Sequence, residues 1–86
     1  IHRVFTGSLN TSVAHPREIF RSALLNNGAR ILVYHNHPSG NTEPSEADLI
    51  FTKRMEEAGS ILGIDLLDHI IVSGKEWLSL REYGLL

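Results

Sequence analysis

The sequence predicts an α/β fold: a mixed sheet with two flanking helices. Three observations carry that expectation. Residues 30–35 (Arg-Ile-Leu-Val-Tyr-His) are almost continuously apolar, as in a strand buried on both faces of a sheet. Stretches with helical spacing stand on either side of it, at 16–27 and from Ser45 to Gly63. Residues 64–80 read as two strands joined by a turn at Gly74-Lys75-Glu76, an antiparallel hairpin. The order strand, helix, strand, helix, strand, strand suits a sheet covered by helices.

Each element has a local reason. Residues 2–6 (His-Arg-Val-Phe-Thr) combine β-branched and aromatic side chains and are expected to stop at Gly7. Residues 8–14 read as loop with a short edge strand. Pro16 suits the first turn of a helix, where its missing N–H costs nothing, and Glu18 favours the positive end of the helix dipole. Ile19, Phe20, Ala23 and Leu24 recur at helical spacing, and Asn26-Asn27-Gly28 ends the helix with Gly28 as the left-handed cap. Residues 36–44 hold two prolines, a glycine and two asparagines, so they form an irregular loop.

Ser45 is a good N-cap for the second helix, with Asp48 three residues on, as in a capping box. Phe51, Met55, Ala58 and Leu62 form the expected buried stripe at i, i+4, i+7, i+11. Gly63 ends that helix. Residues 64–73 form a long strand, 77–80 the returning one, and 81–86 a short tail.

Composition narrows the classes of function. The 86 residues are 42% hydrophobic and 21% charged, which fits one small globular domain, residues 1–86. Cysteine is absent, so disulfides and thiolate metal sites are excluded within the chain, and any metal must take His, Asp, Glu or water. That absence also fits a reducing, cytoplasmic setting. The net charge is −2 with no basic run, which argues against direct nucleic-acid binding. No apolar run approaches ~18 residues, so no membrane span is expected. Residue 1 is Ile, and we expect the chain to begin inside a longer protein.

The chemistry concentrates in one stretch. His35-Asn36-His37-Pro38-Ser39-Gly40 runs on to Pro44-Ser45-Glu46-Ala47-Asp48, in the order His-x-His-x7-Ser-x2-Asp. Two histidines two apart in an extended segment point to the same side, and a carboxylate from the next helix could complete a catalytic zinc site with an open position. Each residue alone has a blander role: Ser45 as a cap, Asp48 as a first-turn charge, a bare His-x-His as a solvated loop. The letters His-Asn-His also name a nuclease class, but those nucleases draw the three residues from separated parts of a metal finger.

The pattern His35-x-His37-x7-Ser45-x2-Asp48 resembles the JAMM motif of MPN-domain metalloproteases. The surrounding His-Asn-His-Pro-Ser-Gly, Pro-Ser-x-x-Asp, His-Pro-Arg-Glu and Leu-Asp-His-Ile-Ile-Val segments resemble the bacterial RadC family, once called DNA repair proteins, over essentially the whole chain. The resemblance implies an αβα sandwich of MPN, cytidine deaminase-like type. It implies Zn²⁺ held by His35, His37 and Asp48, and Ser45 as an oxyanion donor. The reaction it implies is hydrolysis of a peptide or isopeptide amide by a zinc-activated water, with an unidentified protein or peptide as substrate.

The same motif has a glutamate upstream of its first histidine. Glu18 is the only acidic residue between Ile1 and His35, and its helical position reads as a surface charge. The expectation is that the glutamate precedes Ile1. The alternative function is a non-catalytic interaction scaffold, or a DNA-repair-associated module, with a structural zinc. His69 beside Asp68 reads as a hydrogen-bonded histidine in or near the core, or as a group near the metal. Trp77 reads as a core or edge anchor, and His2 and His15 have no assignable partner.

Overall fold

The computed structural model describes residues 4–9, 15–38 and 40–86. The expected strand start at residues 2–3, the loop or edge strand over 10–14, and Ser39 lie outside them. Val4–Leu9 forms strand β1, Pro16–Leu25 helix α1 and Arg30–Asn36 strand β2. Glu46–Leu62 forms helix α2, followed by strands β3 (Asp65–Ser73) and β4 (Glu76–Ser79). The sheet order is β1-β2-β3-β4, with β1, β2 and β3 parallel and β4 antiparallel to β3. The α/β class, the mixed sheet and the closing hairpin are as the sequence predicts. Gly7 does not end β1, however. It pairs with Val33, and its missing Cβ makes room for Ile19, whose Cδ1 would lie 3.1 Å from one.

Both β-α-β connections step across the sheet in the same direction. Right-handed crossovers then place both helices over one face, and the core agrees. Ile19, Phe20 and Ala23 of α1 join Met55 of α2, with Ile31 and Val33 of β2 and Leu66 of β3, in one buried cluster. A second cluster of Ile71, Leu78 and Leu80 continues the packing under the hairpin. The continuous apolar run of β2 suggested burial on both faces. Instead Ile31 and Val33 are fully buried while Tyr34, on the opposite face, is 42% exposed. Trp77 is also exposed, on the edge strand β4.

One irregularity sets the inner face of β3. The pairing shifts between Ile31↔Leu66 and Leu32↔Asp68, so Leu67 is an extra residue, a bulge. Beyond it His69, Ile71 and Ser73 are the buried residues of the strand. The Arg81 guanidinium donates to the Leu67 and Leu66 carbonyls, and the Arg81 backbone N–H donates to Asp68. These bonds tie the tail to the bulged segment.

The helix ends follow capping chemistry, with one exchange of roles. His15 caps α1, its Nδ1 accepting from the Arg17 N–H at 3.2 Å. At the other end Asn27, not Gly28, takes the left-handed conformation, with φ 55°. The Gly28 N–H reaches the Ala23 carbonyl at 2.7 Å and the Asn27 N–H reaches Leu24, a Schellman pattern. Asparagine tolerates that conformation, and Gly28 is small because a Cβ there would meet the Phe5 Cβ at 3.0 Å.

The buried stripe of α2 differs from the predicted one. Met55 is buried as expected, but its companions are Asp48, Thr52 and Gly59. Phe51 and Ala58 are only partly buried, and Leu62 is 48% exposed. The helix presents polar and small residues inward because its first turn faces a polar site and its last turn touches backbone. Gly63 reverses the chain with φ 72°, and the Ile64 N–H donates to the Gly59 carbonyl at 2.9 Å. A Cβ on Gly59 would stand 2.2 Å from the Ile64 carbonyl oxygen.

Gly59→Ala therefore forces backbone apart, and we expect it to cost more than ~3 kcal/mol, as overpacking against rigid neighbours does. Gly63→Ala meets nothing and suffers only its positive φ, an expected loss of about 1–2 kcal/mol. Urea denaturation of both variants checks the order; equal losses would remove the close-approach argument.

Candidate metal centre

The parallel strands β2 and β3 deliver the site at their C-terminal ends. His35 is the sixth residue of β2 and lies beside Ile71 of β3. His37 follows the strand, yet its N–H still donates to the Val72 carbonyl at 2.8 Å. The Ser73 hydroxyl donates to the His37 carbonyl. His37 is thus held against the end of β3 rather than in a free loop. Its ring and that of His35 project to the same side, with centroids 4.6 Å apart at 64°.

Asp48 arrives from the first turn of α2. Ser45 and Asp48 form a reciprocal capping box. The Asp48 N–H donates to Ser45 Oγ at 3.1 Å, and the Ser45 N–H donates to Asp48 Oδ2 at 2.8 Å. The carboxylate then faces both histidines: His35 Nε2 is 3.1 Å from Oδ1, and His37 Nε2 is 3.1 Å from Oδ2. The structure brings all four sequence-predicted residues, His35, His37, Ser45 and Asp48, into one place. Glu18 is not among them. It is exposed on α1 and lines a separate depression with Phe5 and Ile19.

Two further groups join the site: His69, read from the sequence as a hydrogen-bonded histidine in or near the core or as a group near the metal, and Thr52, which the sequence reading did not single out. His69 is fully buried, its Nε2 2.9 Å from His35 Nδ1 and its Nδ1 2.7 Å from Thr52 Oγ1. Thr52 in turn donates to the Asp48 carbonyl at 2.8 Å. The four-residue spacing from Asp48 to Thr52 was a usable signal for a shared helix face. The nearness of His69 depends on strand pairing and the Leu67 bulge, which no local pattern announces.

The donor set suits a divalent cation. His37 Nδ1 lies 3.1 Å from the Asn41 carbonyl, which can only accept, so a ring proton sits on Nδ1. In the neutral ring the Nε2 lone pair is then aimed at a carboxylate. A proton on Nε2 or a metal ion between the groups would relieve that apposition. Ligand atoms about 2.0 Å from a tetrahedral ion sit about 3.3 Å apart; here each histidine lies 3.1 Å from its own oxygen of the carboxylate, so an ion held by one of these oxygens matches one of the two pairs directly. Ligating atoms of His35, Asp48 and His69 also lie within 4.8 Å of one another, so a His-His-Asp group could hold a metal. His69, however, already engages both ring nitrogens.

The titration properties favour metal-ready forms. Burial, opposed by Asp48 and reinforced by His37, holds the His35 imidazole below its usual value. Burial alone would raise the Asp48 carboxyl. The Ser45 backbone N–H and side chain, with His35 and His37, outweigh it and hold the carboxyl low. Burial, with His35 nearby, pushes His69 down to about 4. Beside the site, His37, Pro38, Asn41, Glu43 and Ser45 line an open pocket of about 330 Å³. A larger depression, about 660 Å³, lies at the opposite strand ends around Arg30, Asp65 and Arg81 and contains none of the site residues.

The His69 shift makes stability depend on pH. With a value of 6.5 unfolded and about 4 folded, the unfolded chain takes up the proton first as pH falls. The contribution is therefore complete above about 6.5 and is lost progressively towards 4, at about 1.4 kcal/mol per pH unit. In chelator, the urea unfolding free energy should fall by about 2 kcal/mol from pH 7 to pH 5. An unchanged or rising value would show that His69 is not held neutral.

No helix among the described residues is long and apolar enough to cross a membrane. Comparison with known proteins places the whole chain. A family model for the RadC-like JAB domain matches residues 1–85. A UPF0758 protein of Enterococcus faecalis is 62% identical over 79 residues, 92% of this chain and 34% of the relative. UPF0758 proteins of Clostridium beijerinckii and Listeria welshimeri are each 54% identical, over 100% and 94% of this chain and 38% and 36% of their own lengths. The chain thus spans roughly a third of the length of these curated relatives. With the family model matching residues 1–85 and relatives this similar, the chain belongs to the RadC-like JAB domain family.

Proposed function

We propose that the chain carries the zinc site of a metallohydrolase that cleaves a peptide or isopeptide amide, in a cytoplasmic setting. The observation that carries this reading is the pairing of two imidazole Nε2 atoms with the two separate oxygens of one carboxylate, each at 3.1 Å. His35, His37 and Asp48 hold the metal in this reading. His37 is preferred to His69 as the third ligand because its Nε2 has no partner but Asp48 among the described residues. Zinc is the favoured ion for a nitrogen-rich set with one carboxylate.

When bound, zinc supplies Lewis acidity and lowers the pKa of a water towards ~7. The protein's own residues supply the rest. Asp48 is held by the Ser45 cap, so its charge is aligned before metal arrives. Ser45 is exposed on the wall of the adjoining pocket. Its oxygen accepts from the Asp48 N–H and its proton can turn to an oxyanion in the pocket. No carboxylate other than Asp48 makes an ion pair with either site histidine among the described residues. The nearest further carboxylate that lines the adjoining pocket is that of Glu43. A bound protein or peptide suits an open pocket lined by Pro38, Asn41, Glu43 and Ser45 better than a nucleic acid suits a chain of net charge −2.

Purified protein should contain one zinc per chain by elemental analysis. His35→Ala, His37→Ala and Asp48→Ala should each lose it, and unchanged stoichiometry in any of them would reject that residue as a ligand. Ser45→Ala should keep the zinc and lose about 1 kcal/mol of stability with the cap. It should also reduce turnover of a model amide by about 10²–10³-fold. Undiminished turnover would leave Ser45 as a helix cap alone.

A further inference from the structure

The hydrogen bonds behind His35 form a chain in which every proton can be placed. Thr52 Oγ1 lies 2.8 Å from the Asp48 backbone carbonyl, which can only accept, so the single hydroxyl proton is committed there. The same oxygen, 2.7 Å from His69 Nδ1, must then accept, and the His69 proton sits on Nδ1. A neutral imidazole has one N–H, so His69 Nε2 is bare. At 2.9 Å from His35 Nδ1 it can only accept, and His35 must donate from Nδ1. The remaining His35 nitrogen, Nε2, is left with a lone pair, 3.1 Å from Asp48 Oδ1.

Water cannot rearrange this chain cheaply. His69 is 0% and Thr52 2% exposed. A charged His69 would turn a second N–H towards His35 inside the core, where an unpaired buried charge is costly. We propose that Thr52 and His69 are positioning residues that fix the tautomer of His35, so that its Nε2 is presented bare to the metal. The inference rests on the reading of His35 as a metal ligand. Ligating histidines usually donate their second N–H to a carboxylate, a backbone carbonyl or water. Here another histidine accepts it, and that histidine's own tautomer is set by a threonine of α2. The helix that supplies Asp48 therefore also prepares His35, through one side chain four residues further on.

Opposite polarity would put the proton on His35 Nε2 and block it. Long-range ¹H–¹⁵N correlation on the metal-free full chain, labelled at histidine, distinguishes the two. The expected spectrum shows His35 protonated at Nδ1 and bare at Nε2; a proton on Nε2 overturns the proposal. Thr52→Val keeps the shape but removes the hydroxyl. His35 should then show mixed tautomers, and Zn²⁺ affinity by chelator competition should fall about 10- to 100-fold, with Thr52→Ser restoring both. A Thr52→Val chain that binds Zn²⁺ as tightly as the parent, while His35→Ala does not bind, also overturns it. If no form binds Zn²⁺, the metal reading fails, and the parent spectrum still decides the tautomer.

Discussion

The Asp48 carboxylate joins what the rest of the molecule must hold apart. One of its oxygens accepts from the Ser45 N–H, closing the start of α2, and the two oxygens together face His35 and His37. Capping the helix and organising the site are consequently the same act. A helix start leaves N–H groups without partners, and a cluster of lone pairs needs positive charge. Asp48 answers the first need directly and draws the second into position. Its burial is tolerable because its charge meets the N–H groups and dipole of the helix start.

This economy has a structural cost that shows in α2. A helix over a sheet ordinarily lays an apolar stripe on the core. Here the inward line is Asp48, Thr52, Met55 and Gly59, with one large apolar side chain among four. Most of the apolar packing comes instead from α1 and the strands, through Ile19, Phe20, Ile31, Val33 and Leu66. The two helices share one sheet face but divide the labour: α1 supplies packing, and α2 supplies chemistry at one end and a backbone contact at the other.

The legible parts of the sequence were those governed by local chemistry. The helix start at Pro16, the caps at Ser45 and Gly63, the strand at 30–35 and the hairpin at Gly74 all rest on residues within a few positions of one another. The motif residues met as expected because their spacing bridges a strand end and a helix start. The stripe on α2 was misread because hydrophobicity was followed where polar residues were being buried for the site. The both-sided burial of β2 was misread because a continuous apolar run does not say which face is covered. Thr52 carried a helical-spacing signal that hydrophobic counting passes over. His69 was readable as a hydrogen-bonded histidine near the core or the metal, but its partners were not, since they are 17 and 34 residues away in the chain.

Leu67 is only half-buried, yet it decides which way the second half of β3 faces. In a strand, side chains alternate, so Leu66, Asp68 and Ile70 would ordinarily share one side. The extra residue inverts that parity once, and everything downstream inherits the inversion: His69, Ile71 and Ser73 turn inward while Asp68 turns towards Ser79 and Arg81. A regular strand of the same composition would have set an aspartate against the core and left the histidine outside. The placement of a buried imidazole thus depends on a counting error built into the backbone, on a different element from the two residues it serves.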